Sequence, residues 1–280
     1  MRKTLSAILL LAPAVCVASN ISIGDVSLTI PNPIGFGPVT QQMTALHELQ
    51  KQFVAPTNEE FLAFIPEQDL PRALKGDIPD LRRRFTVQTA KSLIGVSVSS
   101  SDFAKLKNIV KSQNDDLMKK VENNIPGLMK HINDGIAKKY DVDLALSVSQ
   151  MVPLTVHEET DRTLAYSVLV KYNMTDVAGN PASYIGVFTA TFTHVKGKVL
   201  FLYSYAEEAG LEWSKDASKQ WAHAVVAANP PDLQSSVKES LPSAVTGIDW
   251  AKVGAKAVAG AIIALIVGLI GWAIYRGKAS

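Results

Sequence analysis

Cysteine is nearly absent from this sequence, which has a single one, Cys16, among 280 residues. Cys16 lies in an N-terminal segment that we expect to be removed, so the mature chain would carry no thiol. This excludes a thiol nucleophile, a thiolate metal site and a disulfide framework. The fold must therefore be held by its hydrophobic core, which about 200 residues can build.

Recognisable catalytic motifs are missing as well. The sequence contains no paired-histidine metal helix, no phosphate loop, no dinucleotide fingerprint and no serine elbow. Four of the five histidines are scattered over separate predicted elements without the spacing of metal ligands: His47, His131, His194 and His223. We therefore predict no catalytic residue, no metal site and no cofactor, and we interpret the chain as a binding or assembly module.

An excess of positive charge is also lacking. The sequence has 28 lysines and arginines against 26 aspartates and glutamates. Removal of residues 1–18 takes away Arg2 and Lys3 and no acid, which leaves 26 of each sign. A nucleic-acid-binding protein needs a concentrated positive surface, so we expect no nucleic-acid partner.

The N-terminal segment has the features of a secretory signal peptide. Arg2 and Lys3 precede an apolar run from Leu5 to Val17, and the small residues Ala18 and Ser19 follow it. The run of about 13 residues is too short to span a bilayer. We predict cleavage after Ala18, which makes residues 1–18 the signal peptide.

The C-terminal segment is the longest apolar run of the chain. Residues 257–275 are 19 consecutive residues without a charge, and as a helix they would cover roughly 28 Å, close to the hydrocarbon thickness of a bilayer. The basic residues Lys252 and Lys256 precede the run and Arg276 and Lys278 follow it, and Trp272 and Tyr275 lie near its C-terminal end, where an interfacial aromatic belt is expected. We predict a juxtamembrane linker over 232–252, a transmembrane helix over 253–275 and a cytoplasmic tail over 276–280.

These two segments together predict the topology and location. An exported N-terminus places the body of the chain, residues 19–231, outside the cytoplasm and the C-terminus inside. The n-region and the overall brevity of the signal peptide favour a bacterial inner membrane with the domain in the periplasm. The predicted partners are the lipid bilayer and, through the transmembrane helix, a second copy of the chain or another membrane protein.

Small residues form a stripe along the predicted transmembrane helix. Gly260, Ala264 and Gly268 are spaced by four, and a second series alternates steps of four and three: Ala257, Ala261, Ala264, Gly268 and Gly271. Such a face lets two helices approach closely in lipid, so it predicts pairing with a second copy or with another membrane protein. The alternative is a plain anchor. Ile262 and Ile266, on the opposite face, are expected to contact acyl chains.

The exported domain has an α+β pattern. Alternating apolar residues from Ile21 to Ile30 predict a hairpin or a bulged strand, and amphipathic helices follow. Four long segments rich in valine, threonine and aromatics predict strands of an antiparallel sheet: Val142 to Val156, Thr163 to Tyr172, Tyr184 to Val195 and Val199 to Tyr205. A helix over Leu211 to Ala228 should pack on it. The expected fold is an antiparallel sheet of about four to six strands packed with helices, plus the transmembrane helix.

This order of hairpin, helices, four-stranded sheet and closing helix resembles the α/β/α sandwich of photosystem extrinsic-subunit-like proteins. The resemblance lies in the order of elements and is accompanied by no shared motif. It implies a fold and transfers no function.

Three polar or aromatic groups remain to be interpreted. The segment from His157 to Arg162 combines an imidazole with three carboxylates, but it falls at a predicted hairpin turn and is expected to be solvated. The run Arg82-Arg83-Arg84 is expected either to begin an edge strand or to contact anionic lipid or an acidic partner. Trp213 and Trp221 share a helix face, which should be buried against the sheet.

Two alternative functions stay open at this point. One is a hydrolase or metal-dependent enzyme that uses carboxylates with His157 or His194; its side chains should converge in a concave pocket, whereas outward splay favours a scaffold. The other is a carrier of a small apolar ligand. A carrier should have a cavity lined by Phe188, Phe192, Phe201 and Trp221 in place of a filled core.

Overall fold

A computed structural model describes residues 17–112, 146–175, 181–231 and 247–279, with short pieces at 121–123, 125–127, 129–130, 133–134 and 236–237. In the last long range, side chains are described as far as residue 266. Most of the predicted signal peptide and most of the segment 232–249 lie outside the described residues.

The described part of the chain contains ten strands. They are β1 (Ala18–Ile23), β2 (Val26–Pro31), β3 (Phe36–Pro38), β4 (Asn58–Pro66), β5 (Arg84–Ala90), β6 (Ser147–Pro153), β7 (Glu158–Glu159), β8 (Thr163–Thr175), β9 (Pro181–Val195) and β10 (Lys198–Glu207). The helices are α1 (Thr44–Gln52), α2 (Leu70–Leu74), α3 (Ser100–Ser112), α4 (Leu211–Ala228) and α5 (Trp250–Ala279).

Eight of these strands form one antiparallel sheet. Its order is β3-β4-β5-β10-β9-β8-β6, and β7 also pairs with β8. The predicted α+β class with an antiparallel sheet and packed helices is confirmed, although the sheet is larger than the four to six strands expected. The excess comes from β3 and β7, which are too short to leave a clear alternating pattern in the sequence.

The turns at the hairpins follow from their residues. β1 and β2 are joined at Gly24, which has a φ of 60°, and β9 and β10 are joined at Lys196 and Gly197, with φ values of 48° and 74°. Two consecutive positive φ values give the primed turn that matches the twist of paired strands. β1 and β2 form a separate two-stranded sheet, so the hairpin expected near the N-terminus is confirmed.

The sheet separates two hydrophobic clusters because side chains alternate across each strand. On one face, called here the α4 face, Leu200 and Leu202 of β10 pack with Trp221 and Val225 of α4 and with the β1–β2 hairpin. On the other face, called the α5 face, Phe201 and the tyrosines of β10 pack with α1, α3 and α5. The chain is thus a sheet covered on both sides.

Helix α5 is part of this core. Ala257, Val258, Ala261, Ile262 and Ile266 are fully buried, and the helix contacts both the sheet and helices α1 and α3. The predicted lipid-facing position of Ile262 and Ile266 is therefore wrong in this structure. A helix that is apolar all round is typical of a membrane span or of a buried core helix, and the packing here is that of the second kind. The hydrophobic core also extends beyond residue 231, where the sequence suggested that the domain ends.

Within the described ranges, no helix combines the length and the apolar character that crossing a membrane requires.

Candidate functional site

The three consecutive arginines before β5 have three different environments. Arg82 Nε lies 2.5 Å from Asp80 Oδ2, and its Nη1 lies 3.6 Å from Glu207 Oε2. The Arg83 guanidinium stands 4.5 Å from the centre of the Trp213 ring. Arg84 is buried inside the α5 face. Since β5 lies between β4 and β10, the prediction that this run begins an edge strand is wrong.

Arg82 and Arg83 line a cleft of about 500 Å³ at one end of the sheet. Three separate parts of the chain form its walls: Pro66, Gln68 and Asp69; Asp80, Arg82 and Arg83; and Glu207, Ala209 and Gly210. Burial raises the pKa of Asp69, with a further contribution from Asp80, while Arg72 opposes the rise. The cleft therefore presents charges of both signs, several already paired.

A row of hydrogen bonds joins the sheet to the backbone of α5. Asn58 Nδ2 donates to the carbonyl oxygen of Lys256 at 3.2 Å, Tyr203 Oη donates to that of Ala257 at 2.7 Å, and Tyr172 Oη donates to that of Ile262 at 3.1 Å. The Arg84 guanidinium donates to the carbonyl oxygen of Ala264. Side chains of the sheet thus hold the helix through its main chain.

Small residues on α5 permit this close approach. A Cβ atom on Gly260 would lie 2.2 Å from Asn58 Nδ2 and 2.9 Å from Gln88 Oε1. Across the same interface a Cβ on Gly186 of β9 would lie 2.9 Å from Leu265 Cδ2. The α5 backbone at Gly260 is therefore in close contact with side chains of the sheet, and the β9 backbone at Gly186 is in close contact with a side chain of α5.

A buried arginine and a carboxyl group lie within this interface. Arg84 stands 4.1 Å from the centre of the Tyr205 ring, and its Nε has no hydrogen-bond partner among the described residues. Gln88 Nε2 donates to Glu60 Oε2 at 3.1 Å. Burial raises the pKa of Glu60 to about 7, against the opposing effects of Arg84 and Gln88.

The acidic segment at His157 to Arg162 divides between the two helical layers. Glu158 accepts from Lys219 Nζ at 2.8 Å and from His223 Nε2 at 2.9 Å, both on α4. Glu159 accepts from Lys111 Nζ of α3 at 3.0 Å. Adjacent residues of β7 point to opposite faces, so the two carboxylates diverge.

The nearby histidine also has a local partner. His157 Nε2 lies 3.3 Å from Ser167 Oγ, and burial lowers the pKa of His157. No group of three or more histidine, cysteine or acidic side chains that would suit a metal ion is found within the described part of the chain. The observed splay is the arrangement that the sequence argument associated with a scaffold.

His194, the other histidine considered for catalysis, is a core residue. It is 1% exposed, its Nε2 lies 2.8 Å from the carbonyl oxygen of Val98, and its ring stacks on Phe103 at 5.2 Å. His47 lies on α1 and His223 contacts Glu158, while His131 lies outside the described residues. The described histidines are therefore spread over separate parts of the fold.

The four aromatic residues proposed to line a carrier cavity lie on opposite faces of the sheet. Phe188, Phe192 and Phe201 belong to the cluster on the α5 face, and Trp221 belongs to that on the α4 face. Each is no more than 2% exposed. The prediction of one shared cavity is wrong, whereas the expected burial of Trp221 against the sheet is confirmed.

The residues predicted to form a helix-pairing face pack inside this chain, as far as they are described. Ala257, Gly260, Ala261 and Ala264 are buried in the packed helix α5. The burial of Gly268 and Gly271 lies outside what the structure describes. Pairing of α5 with another helix in lipid stays a prediction.

The burial of polar residues beneath α5 was not predicted from the sequence. Arg84, Thr86 and Gln88 alternate with the apolar Phe85 and Val87 in β5. That alternation predicts a strand with one side in water, yet all five residues are buried. The alternating polar residues can be read from the sequence, but the sequence does not indicate that an apolar helix covers them.

Neither a protein-family model nor a curated protein matches the sequence. Among solved structures, the chain is similar to the solution structure of cyanobacterial PsbP (CyanoP) from Synechocystis sp. PCC 6803. The match covers 80% of this chain and 96% of that chain, with 11% sequence identity and a TM-score of 0.30. A likeness at this level carries no functional argument, and the fold class above rests on the sheet order and packing.

Proposed function

We propose that the chain is an exported, non-catalytic binding module that is held at a membrane and contacts a partner protein through the cleft at Arg82 and Arg83. The observation that carries the binding part is the cleft itself. It is an open concavity of about 500 Å³ with fixed charges of both signs, which suits a polar protein segment better than a small apolar ligand.

The residues of the cleft are of the kind that anchor protein interfaces. Asp80 and Glu207 hold Arg82 from two sides, so its charge is positioned before a partner arrives. Arg83 is exposed and rests on Trp213. Arginine is enriched among the residues that contribute most to binding. Preset side chains also reduce the entropy lost on association.

The non-catalytic part of the proposal is supported by what the acidic and imidazole groups contact. Glu158 and Glu159 bind lysines on different helices, and His194 is packed between Val98 and Phe103. A general acid and base need to face one substrate position. These groups serve instead to join β7 and β9 to the neighbouring layers.

Export is supported by the N-terminal sequence and by the start of β1. Cleavage after Ala18 would leave Ser19–Ile23, which pair with residues 26–30 of β2, in the mature chain. The hairpin therefore begins where the signal peptide is expected to end. Membrane attachment is supported by the uncharged run 257–275, and a single-pass arrangement with a cytoplasmic C-terminus belongs to this proposal.

The binding part is tested with a photo-crosslinking amino acid placed at position 83 in intact cells. A discrete protein adduct is expected from position 83, and it should disappear when Arg82→Glu disrupts the charge pattern of the cleft. Lys51 on α1, whose side chain is 61% exposed, is the matched control position and should give no such adduct. The same adduct from both positions, or none from position 83, would overturn the cleft as the binding site.

A further inference from the structure

Helix α5 cannot pack on the sheet and cross a bilayer at the same time. Its side chains pack on the domain from Trp250 at least as far as Ile266, the last one described, so at most residues 267–279 remain for the bilayer, roughly 20 Å at 1.5 Å per residue. A spanning helix needs about 20 apolar residues. The uncharged run 257–275 would meet that need only if its first half left the sheet.

We propose that α5 exchanges between two sites, the groove on the sheet where it lies here and the hydrocarbon of a lipid bilayer. The inference rests on the membrane part of the proposed function and makes the attachment conditional. The docked form is a domain free of the membrane, and the released form is anchored in it. The groove and the bilayer then compete for the same helix.

The helix has the properties that such a transfer requires. Its backbone hydrogen bonds are internal, so it carries them into lipid unchanged. Val258, Ile262 and Ile266 are fully buried in the domain, and in lipid they would again be surrounded by apolar groups. The side chains therefore exchange one apolar environment for another.

The groove has the properties of a surface that can be uncovered. Its hydrogen bonds to α5 come from Asn58, Tyr172, Tyr203 and Arg84, and water can replace each of them when the helix leaves. Arg84 Nε, which lacks a partner among the described residues in the docked form, also gains access to water. The apolar residues of α1 and α3 that contact α5 are then free to close on the sheet.

The chain preceding α5 is long enough for the movement. Twenty-one residues, 229–249, connect the end of α4 to Trp250. Fully extended they would reach about 70 Å, more than the length of α5 itself. Release does not require α4 or the sheet to unfold.

A disulfide between α5 and the groove tests the exchange directly. Asn58 and Gly260 are in contact, with a Gly260 Cβ 3.4 Å from Asn58 Cγ, so N58C/G260C in a Cys16→Ser background should lock the docked form. The full chain is oxidised, added to vesicles of phosphatidylethanolamine and phosphatidylglycerol, and washed with alkaline carbonate before flotation. The control pair S22C/S27C joins opposite residues of the β1–β2 hairpin and leaves α5 free.

Carbonate should remove the locked chain from the vesicles. Reduction of the disulfide should raise the carbonate-resistant fraction of the chain at least tenfold. The control pair should bind equally in both redox states. Equal carbonate resistance of the locked and reduced chains would overturn the exchange and leave the proposed cleft function standing. Absence of resistance in every form would also overturn it, because α5 would then not enter lipid.

Single substitutions provide a graded test with a matched control. Tyr203→Phe and Tyr172→Phe each remove one hydrogen bond to α5 and should raise the membrane-bound fraction about two- to twelvefold. Tyr166→Phe alters another buried tyrosine of the same face, whose hydroxyl has no partner among the described residues, and should leave the fraction unchanged. An equal effect of all three variants would contradict release from the groove.

Discussion

The two faces of the sheet hold their helices by different kinds of contact. On the α4 face, hydroxyl groups of α4 meet hydroxyl groups of the sheet, as in Ser214 with Thr189 at 2.8 Å and Ser218 with Thr191 at 2.7 Å. On the α5 face, the side chains of Tyr172, Tyr203 and Arg84 donate hydrogen bonds to backbone carbonyl oxygens of the helix. The hydrogen bonds between α4 and the sheet are mainly between side chains, with Ser204 Oγ also donating to the Ser214 carbonyl oxygen at 2.9 Å, whereas the sheet binds α5 through the backbone of the helix.

This difference bears on how firmly each helix is held. α4 is amphipathic and also carries Trp221, which packs against Phe64 and Phe85 and donates to the carbonyl oxygen of Pro31 at 2.8 Å. α5 presents small residues to the sheet and is apolar all round. We expect the α4 face to determine the stability of the fold and the α5 face to determine its response to lipid.

The largest expected effect is the loss of Trp221. Trp221→Ala removes a fully packed aromatic side chain and should lower the free energy of unfolding by about 3–5 kcal/mol. Urea denaturation followed by circular dichroism measures it. Trp213→Ala, at a partly exposed position of the same helix, should cost less than half as much, and the reverse ranking would contradict the α4 face as the main source of stability.

The next effect concerns the attachment of the β1–β2 hairpin to the α4 face. Asn229 is buried, accepts from the Thr29 N–H at 2.9 Å and donates to the Thr29 carbonyl oxygen at 2.7 Å. Asn229→Ala leaves both main-chain groups unpaired and should cost about 2–3 kcal/mol. In the Asn229→Ala variant, amide hydrogen exchange should become faster in β2 than in wild type, while exchange in β9 should change less. An equal change in both strands would show that the hairpin is held by other contacts.

Gly260→Ala tests the close contact on the α5 face with a prediction of definite sign. Helix propensity alone would make alanine stabilising by up to about 1 kcal/mol. The overlap with Asn58, whose amide is held by Gln88 and the Lys256 carbonyl oxygen, should reverse that and destabilise the docked form by about 2 kcal/mol. Gly95→Ala, where the added Cβ has no neighbour within 4 Å, is the control. A stabilised Gly260→Ala protein would contradict the close contact between the Gly260 backbone and the Asn58 side chain.

The smallest effect is a pH dependence centred on Glu60. Because burial raises the pKa of Glu60 from 4.5 to about 7, the folded state binds more protons than the unfolded state between these values. Stability should therefore fall as pH rises from about 5 to 7, by about 1 kcal/mol for each pH unit at most. Glu60→Gln should lack this fall.

The comparison of wild type with Glu60→Gln isolates the effect of the Glu60 carboxyl group. The lowered pKa of His157 contributes a trend of opposite sign, but it is common to wild type and Glu60→Gln and cancels in the difference. Chemical denaturation at pH 5, 6 and 7 should give curves that converge at pH 5 and separate toward pH 7. Parallel curves would show that Glu60 is ionised throughout.

Much of the α4 face could be predicted from the sequence. The helix over Leu211–Ala228 begins and ends as its apolar spacing and the following Asn229-Pro230-Pro231 indicate, and β8, β9 and β10 lie within a few residues of the predicted strands. Local signals suffice there because each element is amphipathic. An amphipathic pattern specifies both the type of element and the side that is buried.

The α5 face could not be predicted in the same way. An uncharged helix has no pattern that separates a lipid environment from a protein core, so residues 257–266 gave no sign of their contacts with the sheet. The partner residues were equally ambiguous, since Arg84 and Gln88 alternate as if one side of β5 faced water. Only the long-range order of the strands brings these two sets together.

The bond between Thr29 and Asn229 joins positions 200 residues apart. During synthesis the first strands emerge long before the segment that fixes them, since the chain is made from its N-terminus. Closure of the domain must then wait for nearly the whole polypeptide, and non-local pairing of this kind slows folding.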